Sequence, residues 1–298
     1  MNVRPITRDD ADAVATMAAA DETVLRGSPS LLQASDILAW WERVEFEPDS
    51  WLFEDAGKPA AAAWFHPYGD KGAFFGIVAQ GAKGLGLGTR IIELGEARSR
   101  ERGLPRAHTI GLAEDDAAAA LFHQHGYEQV RVFYEMAIEL AGPPPAPVLP
   151  DGLLLDEFHE PDARDFHDAI DEAFHDHWDW HGTPFDEWWE GRRGQEADAH
   201  GPLWFVVRDG ATIVAAIRNE ADRNGGGYVG TLGVRRDWRG LGLGRALLVR
   251  TFAEFWSRGV ARVTLGVDAE SPTGATKLYE NVGMHVESSI VAYEKALA

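Results

Sequence analysis

The chain has 298 residues, 45% hydrophobic and 26% charged, which is typical of a globular protein of about two domains. A formal net charge of −20 disfavours nucleic acid and anionic membranes as partners, and the absence of cysteine excludes disulfides, thiolate metal sites and cysteine nucleophiles. No apolar stretch approaches the ~18–20 residues of a membrane span, and the N-terminal sequence lacks the order of a signal peptide, so we expect a cytoplasmic protein.

The first half carries a run of alternating glycines, KGLGLG at residues 83–88, and the second half repeats it as RGLGLG at residues 239–244, 156 positions later. LFHQHGY at 121–127 matches LYENVGM at 278–284 after a slip of one residue. Ordered matching over most of each half indicates a duplicated domain. In the first copy, Gly95 is expected to weaken the helix after the glycine run by ~1 kcal/mol relative to alanine.

A proline-rich segment, AGPPPAPVLP at residues 141–150, separates the two copies. Proline fixes φ and provides no backbone donor, so the segment is predicted to be a stiff, extended linker. The sequence therefore predicts a first domain at residues 1–140 and a second at 151–298.

The second copy begins with a predicted helix. Apolar spacing indicates a helix over residues 161–174, and two apolar runs around Asp209-Gly210 indicate a hairpin. Residues 227–234 are predicted to form a strand. After the glycine run, a helix is predicted to reach about Arg258.

The remaining elements alternate in the same way. Gly259 is the predicted stop of that helix, and residues 261–268 are predicted to form the next strand. Ser271-Pro272 predicts a helix start, because a capping hydroxyl precedes a first-turn proline. A strand at 288–297 closes the chain. This mixture indicates an α/β fold with a central sheet and helices around it.

The second glycine run lies between a predicted strand and a predicted helix. Glycine lets the backbone approach a ligand closely, and the first turn of a helix carries unpaired amides with partial positive charge, so together they suit a pyrophosphate. Arg235, Arg236, Arg239 and Arg245 add local positive charge. The spacing matches neither a Walker A loop nor a dinucleotide fingerprint. A glycine-rich turn without a ligand is the alternative.

In this context the second half resembles the GNAT superfamily of N-acetyltransferases, whose signature is Arg/Gln-x-x-Gly-x-Gly/Ala between a strand and a helix. Val234 ends the strand and residues 239–244 hold the signature, while residues 265–284 are similar to the family's later strand–helix segment. The tandem arrangement is similar to mycothiol synthase and related two-copy acetyltransferases. The resemblance implies two GNAT-like domains, each a layered α/β (α+β) domain with a mostly antiparallel central sheet flanked by helices.

The resemblance also implies acetyl-CoA as cofactor. By position, the strand backbone of Leu232, Gly233 and Val234 would pair with the pantetheine arm. The loop amides would hold the pyrophosphate, and they belong to Arg239, Gly240, Leu241, Gly242, Leu243, Gly244 and Arg245. Tyr279 matches the family's usual general acid, a role that suits a phenol because its pKa of ~10 lies close to that of a thiol. Simple packing of Tyr279 in its helix is the alternative.

A general base is not assigned. Glu220, Asp268 and Glu270 lie near predicted strand ends, but we expect each to be a solvated loop carboxylate. The unusual segment FHDHWDWHGTPFDEWW at residues 174–189 contains His175, His177 and His181. No metal site is predicted there, because the histidines lack a known ligand spacing.

The same segment is interpreted in two ways, as a cover of the acceptor pocket or as aromatic core packing with exposed acids. Its acids include Asp176, Asp179, Asp186 and Glu187, and its aromatic residues include Trp178 and Trp180. Carboxylates and aromatic faces attract cations, so a small cationic amine is the predicted acceptor. Solubility alone is an equally good explanation of the overall acidity.

The first copy has Phe122 where the second has Tyr279. Phenylalanine cannot donate a proton, so the first domain is expected to be non-catalytic, and whether it binds CoA is left open. The sequence thus predicts an acetyl-CoA-dependent N-acetyltransferase with direct transfer in the second domain. A mycothiol-synthase-type enzyme and a non-catalytic acyl-CoA-binding or interaction protein are the alternatives.

Overall fold

A computed structural model describes residues 1–297. The chain forms two compact units, each with its own hydrophobic core. Unit 1 contains residues 1–133 together with the chain from Ser288 onward, and unit 2 contains residues 134–287. Within the described residues, no helix is both long enough and apolar enough to cross a bilayer.

Unit 1 follows the order of elements expected for one copy of the repeat. Its elements in chain order are β1 (Asn2–Arg4), α1 (Ala11–Arg26), α2 (Ala34–Trp40), α3 (Phe46–Asp49), β2 (Ser50–Asp55), β3 (Lys58–Tyr68), β4 (Lys71–Val78), α4 (Leu87–Glu101), β5 (Arg106–Leu112), α5 (Asp116–Gln124) and the first part of β6 (Glu128–Glu139).

Unit 2 repeats that order. Its elements are the second part of β6, β7 (Leu153–Glu157), α6 (Ala163–Phe174), α7 (Phe185–Glu190), β8 (Ala197–Asp198), β9 (Gly201–Pro202), β10 (Trp204–Asp209), β11 (Thr212–Arg223), β12 (Gly226–Val234), α8 (Leu243–Ser257), β13 (Arg262–Asp268) and α9 (Ala275–Asn281). The chain then closes with β14 (His285–Ala296), most of which belongs to unit 1.

Both units have a mostly antiparallel sheet, as the family resemblance implies. The strand order in unit 1 is β1-β2-β3-β4-β5-β14, with β4 and β5 parallel. The order in unit 2 is β7-β10-β11-β12-β13-β6, with β12 and β13 parallel. In each unit, the first strand of the parallel pair, β4 or β12, leads into the glycine run.

Each sheet is completed by a strand segment from the other half of the sequence. β14 pairs antiparallel with β5 in unit 1, and residues 134–139 of β6 lie beside β13 in unit 2. The observed division therefore differs from the predicted boundaries, because pairing and burial of these strands outweigh their order in the sequence. Residues 141–150 have no helix or strand, as expected, but they lie within unit 2 rather than between the units.

Most predicted elements of the second copy are present. The turn at Asp209-Gly210 joins β10 to β11, and Gly259 ends α8 with a φ of +76°. The predicted helix start at Ser271 is wrong, because α9 begins at Ala275 after Gly274, whose φ is +72°. The Ser271 hydroxyl lies 3.0 Å from the hydroxyl of Thr273 instead of capping the helix.

Gly95 has a packing role in α4. A Cβ at this position would lie 2.3 Å from Cγ of Phe74, a buried ring of β4. Real Cβ atoms do not approach a ring this closely, so glycine is what lets α4 pack against the sheet. The low helix propensity of Gly95 is therefore offset by contact with the core of unit 1.

Candidate active site

The parallel strands β12 and β13 separate in the middle of unit 2. Their ladder joins only residues 227–229 to residues 263–265, although β12 continues to Val234 and β13 to Asp268. On its other side, β12 stays paired with β11 through Val234. Residues 230–234 therefore have no strand partner on the side of β13, and this edge carries the backbone of Leu232, Gly233 and Val234.

Two glycines shape β12 at this separation. Gly230 is the extra residue of a β-bulge, and a Cβ there would lie 2.6 Å from a guanidinium nitrogen of Arg218. A Cβ at Gly233 would lie 2.9 Å from both Ala173 and Ile170 in α6. Gly233 is thus needed for the close packing of α6 against β12. This packing role is additional to the predicted pairing of its backbone with the pantetheine arm.

The glycine loop leads from β12 into α8 with its amides free. Gly240 and Gly242 have φ values of +79° and +82°, and a Cβ at either position would project into open space. Gly242 precedes the first turn of α8, and no side chain caps this helix. In the described structure the amides of residues 240–245 donate to no acceptor, whereas the amide of Arg239 donates to the Arg236 carbonyl at 3.2 Å. The free amides are therefore those of residues 240–245, without Arg239.

Arg235 fastens the start of this loop to α6. Its guanidinium contacts Glu172 at 2.7 Å and Asp165 at 2.9 Å, and its Nε donates to the Ile213 carbonyl at 2.7 Å. Burial acts to raise the pKa of Glu172, but hydrogen bonds from the Arg235 side chain and the Arg236 amide outweigh it, so the pKa is lowered. Glu172 is thus held as the carboxylate that anchors the loop.

Arg236 and Arg239 share a second carboxylate. Arg236 contacts Asp176 at 2.5 Å and Arg239 contacts it at 3.4 Å, and Arg239 also donates to the Ala173 carbonyl at 3.0 Å. The hydrogen bond from Arg236 is the main cause of the lowered pKa of Asp176. Arg235, Arg236 and Arg239 are thus all paired with carboxylates, which reduces the local positive charge that they were predicted to add.

Arg245 is different from these three arginines. It lies exposed on the first turn of α8, and it forms no ion pair or side-chain hydrogen bond within the described chain. Its charge is therefore available to a ligand next to the free amides.

Tyr279 lies in α9 and is only 8% exposed. Burial, with a smaller effect of nearby Tyr228, raises the pKa of Tyr279 above its usual value. The Tyr279 hydroxyl has no hydrogen-bond partner among the described residues. A protonated phenol with an unused donor suits a general acid, although the ring also packs in the core of unit 2.

Tyr228 is a candidate site residue that the sequence analysis missed. It lies in the last paired stretch of β12, and its hydroxyl is 3.6 Å from where a Cβ of Gly266 would stand, directly after the strands separate. The Arg223 guanidinium covers its ring at 4.1 Å from the centroid. Burial raises the pKa of Tyr228 against the opposing charge of Arg223. The available signal was one large aromatic residue within GGGYVG.

The three candidate bases have different environments. Glu220 stands opposite Tyr228 in β11, where it contacts Arg218 at 2.7 Å and Arg223 at 3.2 Å. Burial acts to raise the pKa of Glu220, but the two arginines outweigh it and the pKa is lowered. The expectation of a solvated loop carboxylate is therefore wrong for Glu220.

The expectation of a solvated loop carboxylate is also wrong for Asp268. This residue is 9% exposed at the end of β13 and accepts a hydrogen bond from the Glu270 amide at 2.9 Å. The Glu270 side chain is exposed, as expected. Burial lowers the pKa of nearby His177, with Asp268 opposing this shift. His177 therefore lies close to the end of β13.

Residues 174–189 were interpreted either as aromatic core packing with exposed acids or as a cover of the acceptor pocket, and the two parts of the segment differ in this respect. In α7, Trp188 stacks on Phe166 in the core, whereas Asp186 and Glu187 are exposed, which is the packing interpretation. The part near His177 lies beside the glycine loop, because Asp176 binds two loop arginines. Within the described residues, no three His, Asp or Glu side chains are arranged to hold a metal ion.

Comparison with known proteins identifies the class to which this fold and site belong. Residues 15–127 and 161–284 match the model of the acetyltransferase (GNAT) family. The chain therefore belongs to the GNAT family, and it is an acetyltransferase with two GNAT domains.

Its relatives include mycothiol acetyltransferases. Mycothiol acetyltransferase of Thermobispora bispora is 31% identical over 214 residues, 70% of each chain. That of Acidothermus cellulolyticus is 31% identical over 235 residues, 74% of this chain and 70% of the relative.

Solved structures show the same architecture. A GCN5-related N-acetyltransferase from Sphaerobacter thermophilus is similar with a TM-score of 0.85 and 32% identity, covering 99% of this chain and 95% of that one. A tandem GNAT protein from the clavulanic acid biosynthesis pathway has a TM-score of 0.72 at 16% identity, covering 99% and 98%, and supports the fold alone.

Proposed function

We propose that unit 2 transfers an acetyl group from acetyl-CoA directly to the amine of a small acceptor, and that unit 1 is not catalytic. The observation that carries this proposal is the separation of β12 from β13. The separated strands leave an unpaired backbone edge at residues 230–234, which leads into the free amides of residues 240–245. Tyr228, with Tyr279 nearby, lies where the separation begins.

The residues present fit an acyl-CoA. The unpaired edge at residues 232–234 offers the donors and acceptors that the pantetheine amides need, and the open space at Gly240 and Gly242 lets phosphate oxygens reach the free amides. When bound, acetyl-CoA supplies an acetyl group activated as a thioester. This agreement supports acetyl-CoA as the donor.

Two side chains are proposed to move protons. Tyr279, kept protonated by its raised pKa, donates its hydroxyl proton to the sulfur as the carbon–sulfur bond breaks. The acceptor nitrogen loses a second proton as the amide forms, and that proton restores the phenol. Glu220 is ionised because of its lowered pKa, and it receives, through water, the proton that the acceptor ammonium must lose. The ion pairs with Arg218 and Arg223 hold Glu220 in place, so an intervening water is required for this transfer.

Unit 1 lacks both phenols at the corresponding positions. Ala73 of β4 occupies the place of Tyr228 in the parallel ladder. Tyr228 pairs with Thr264 and Ala73 pairs with His108, and these two partners are separated by the same 156 positions as the glycine runs. Phe122 of α5 stands where Tyr279 stands, and it is buried against Tyr293 at a ring distance of 5.0 Å. These replacements support a non-catalytic unit 1.

The proposed acceptor is a small cationic amine. The support is the net charge of −20 and the carboxylate of Glu135, whose charge acts on Tyr228. Glu220 adds little, because it is already paired with Arg218 and Arg223. Asp176 adds little, because it is already paired with two arginines. Acetyl transfer in mycothiol formation is the second candidate, because relatives with that name are 31% identical over 70% of the chain.

The test is release of CoA thiol from acetyl-CoA across diamines, amino sugars, acidic amines and des-acetyl mycothiol. Tyr279→Phe should lower kcat by about 10²–10⁴-fold with little change in acetyl-CoA affinity. Tyr293→Phe, a buried tyrosine of unit 1, is the matched control and should keep wild-type turnover. For a cationic acceptor, kcat/KM should fall as salt rises, because salt screens exposed charges.

Wild-type turnover in Tyr279→Phe would remove the proposed acid. Activity confined to des-acetyl mycothiol would favour the second candidate. Acetyl-CoA binding without turnover on any amine would instead identify an acyl-CoA-binding protein.

A further inference from the structure

Unit 1 carries a row of side chains across its sheet that the proposed function does not use. Strand by strand, the row consists of His66 in β3, Ala73 in β4, His108 in β5 and Glu294 in β14. Residues that stand opposite one another in neighbouring strands project from the same face of a sheet. Because adjacent strands are ~4.8 Å apart, the two histidine backbones are about 10 Å apart, and only a methyl group stands between them.

This row corresponds to the proposed acceptor site of unit 2. His66 pairs with Ala73 between β3 and β4, as Glu220 pairs with Tyr228 between β11 and β12. Unit 1 thus has an imidazole in place of a carboxylate and a methyl group in place of a phenol. The ladder between β4 and β5 ends at Ala73, although both strands continue beyond it. The row therefore lies where the strands of unit 1 separate, but its chemistry differs from that of unit 2.

His66 has a ring nitrogen without a hydrogen-bond partner. Its Nδ1 is buried and forms no hydrogen bond within the described chain. Burial, with a further effect of the Arg43 and His108 charges, lowers the pKa of His66 to about 4, so this imidazole is neutral at pH 7. An unsatisfied buried polar atom is costly, so a ligand that pairs with it gains affinity.

The surroundings of His66 favour an anion. Arg43 lies in the turn after α2, is exposed, and forms no ion pair or side-chain hydrogen bond among the described residues. The other cations near the row, Lys71 and Arg106, are already paired with Glu294. The electrostatic potential that disfavours a proton on His66 attracts a negatively charged group instead.

Aromatic rings continue the same surface. The His66 ring stacks on Phe75 with centroids 5.5 Å apart, and Phe75 stacks on Trp64 at 6.0 Å. His66 and Phe75 are both half-buried, so their ring edges are open to a ligand. Aromatic rings pack well beside one another, which suits a ligand with a planar apolar body.

We propose that unit 1 binds a small carboxylate that carries an aromatic ring, with the carboxylate between Arg43 and His66 and the ring beside Phe75 over Ala73. The Arg43 guanidinium donates to one carboxylate oxygen, and the neutral imidazole donates to the other through its Nδ1–H. The inference goes beyond the proposed function, because it gives unit 1 a ligand of its own and requires no acyl-CoA.

The experiment is NMR spectroscopy of the full chain with labelled histidine, titrated separately with phenylacetate, phenylacetamide and phenethylamine. These three probes share a ring and differ in charge. Phenylacetate should shift the ring signals of His66 and His108 and bind about tenfold more tightly than its neutral amide, as expected for a charge-assisted contact. Phenethylamine, which is a cation, should leave both signals unchanged.

Three variants separate the ring nitrogen from the charge. His66→Phe keeps a ring that can stack on Phe75 but removes the nitrogen, so phenylacetate binding, followed at His108, should weaken about tenfold without loss of stability. Arg43→Gln should make the affinities for phenylacetate and phenylacetamide about equal. Arg90→Gln is the matched control and should change neither affinity, because Arg90 is an exposed cation of α4, which packs on the opposite face of the sheet.

Equal affinity of the wild type for phenylacetate and phenylacetamide, or tighter binding of phenethylamine, would overturn the inference. Wild-type affinity for phenylacetate in His66→Phe would also overturn it, because the nitrogen would then have no ligand. Absence of any histidine shift at about 10 mM phenylacetate would do the same, since a site of ~1 mM affinity would be mostly filled. Acetyl transfer by unit 2 is measured separately, so none of these results bears on the proposed function.

Discussion

The last strand of the chain contains a buried carboxylate on which unit 1 depends. Glu294 of β14 is 9% exposed, and it forms an ion pair with Lys71 of β4, which is 1% exposed. Arg106 and His108 of β5 also contact Glu294, at 3.2 and 3.4 Å. Glu294→Leu would remove the carboxylate that pairs with the buried Lys71 ammonium. Removing one partner of a buried pair costs about 3–5 kcal/mol, so unit 1 should lose that much unfolding free energy.

Acid should lower the unfolding free energy of unit 1 by a similar amount, because it protonates Glu294. Burial acts to raise the pKa of Glu294, but hydrogen bonds from His108 and Lys71 outweigh it and hold the pKa at about 2, below the ordinary 4.5. Because the folded-state pKa is lowered, this stabilisation is present above pH 4.5 and is lost as the pH falls towards 2. The difference between the two pKa values corresponds to about 3 kcal/mol.

The assay is hydrogen–deuterium exchange at neutral pH, read separately in β5 of unit 1 and in β13 of unit 2. Glu294→Leu should speed exchange in β5. Glu287→Leu, in the part of β14 assigned to unit 2, removes a more exposed pair with Arg262 and should cost less than about 1 kcal/mol. The double variant Lys71→Met/Glu294→Leu should recover most of the stability, because apolar replacement of a buried pair is often neutral.

Faster exchange in β13 with β5 unaffected would refute the assignment of this strand to unit 1. A single Glu294→Leu variant as stable as the wild type would refute the argument from the buried charge.

Two substitutions test the glycines. Gly95→Ala should destabilise unit 1 by about 1–3 kcal/mol in urea unfolding, despite the better helix propensity of alanine, because its Cβ would meet the Phe74 ring; a stability gain would show that α4 can shift. Gly242→Glu should abolish acetyl-CoA turnover by placing a carboxylate where a phosphate is expected, whereas Gly86→Glu, matched in unit 1 with a φ of +80°, should preserve it. Equal loss in both variants would contradict the assignment of catalysis to unit 2.

Much of the fold could be predicted because local signals and global structure agree. The β10–β11 hairpin follows from Asp209-Gly210 between apolar runs, and the end of α8 follows from Gly259, which takes a positive φ. The start of α9 was misplaced because Ser271-Pro272 is a local capping pattern, whereas the structure closes a turn from the Ser271 amide to the Asp268 carbonyl. Tertiary position, rather than the cap, decides where this helix begins.

The sequence could not predict that each sheet is completed by a strand from the other half of the chain. Nothing in residues 288–297 shows whether this strand pairs with β5 or with a strand of the second half. The pairing of β14 with β5 and the burial of Val291 and Tyr293 in the core of unit 1 reveal it. The loop charges were misjudged for a similar reason. Arg235, Arg236 and Arg239 look like an anion site in the sequence, but their carboxylate partners lie in α6 and just after it, more than 50 residues earlier in the chain.

This crossing of strands between the two halves also explains how the first copy, which lacks the two phenols, contributes to unit 2. Residues 134–139 are encoded with the first copy, but they form the strand beside β13, where Met136 is fully buried in the core of unit 2. Glu135 of this strand acts on the pKa of Tyr228, and Ile138 packs against the core of unit 2. A chain starting at residue 151 would therefore lack an edge of the sheet, part of the polar surroundings of Tyr228 and part of the core. The sequence of the first copy is thus a structural component of unit 2, whatever unit 1 itself binds.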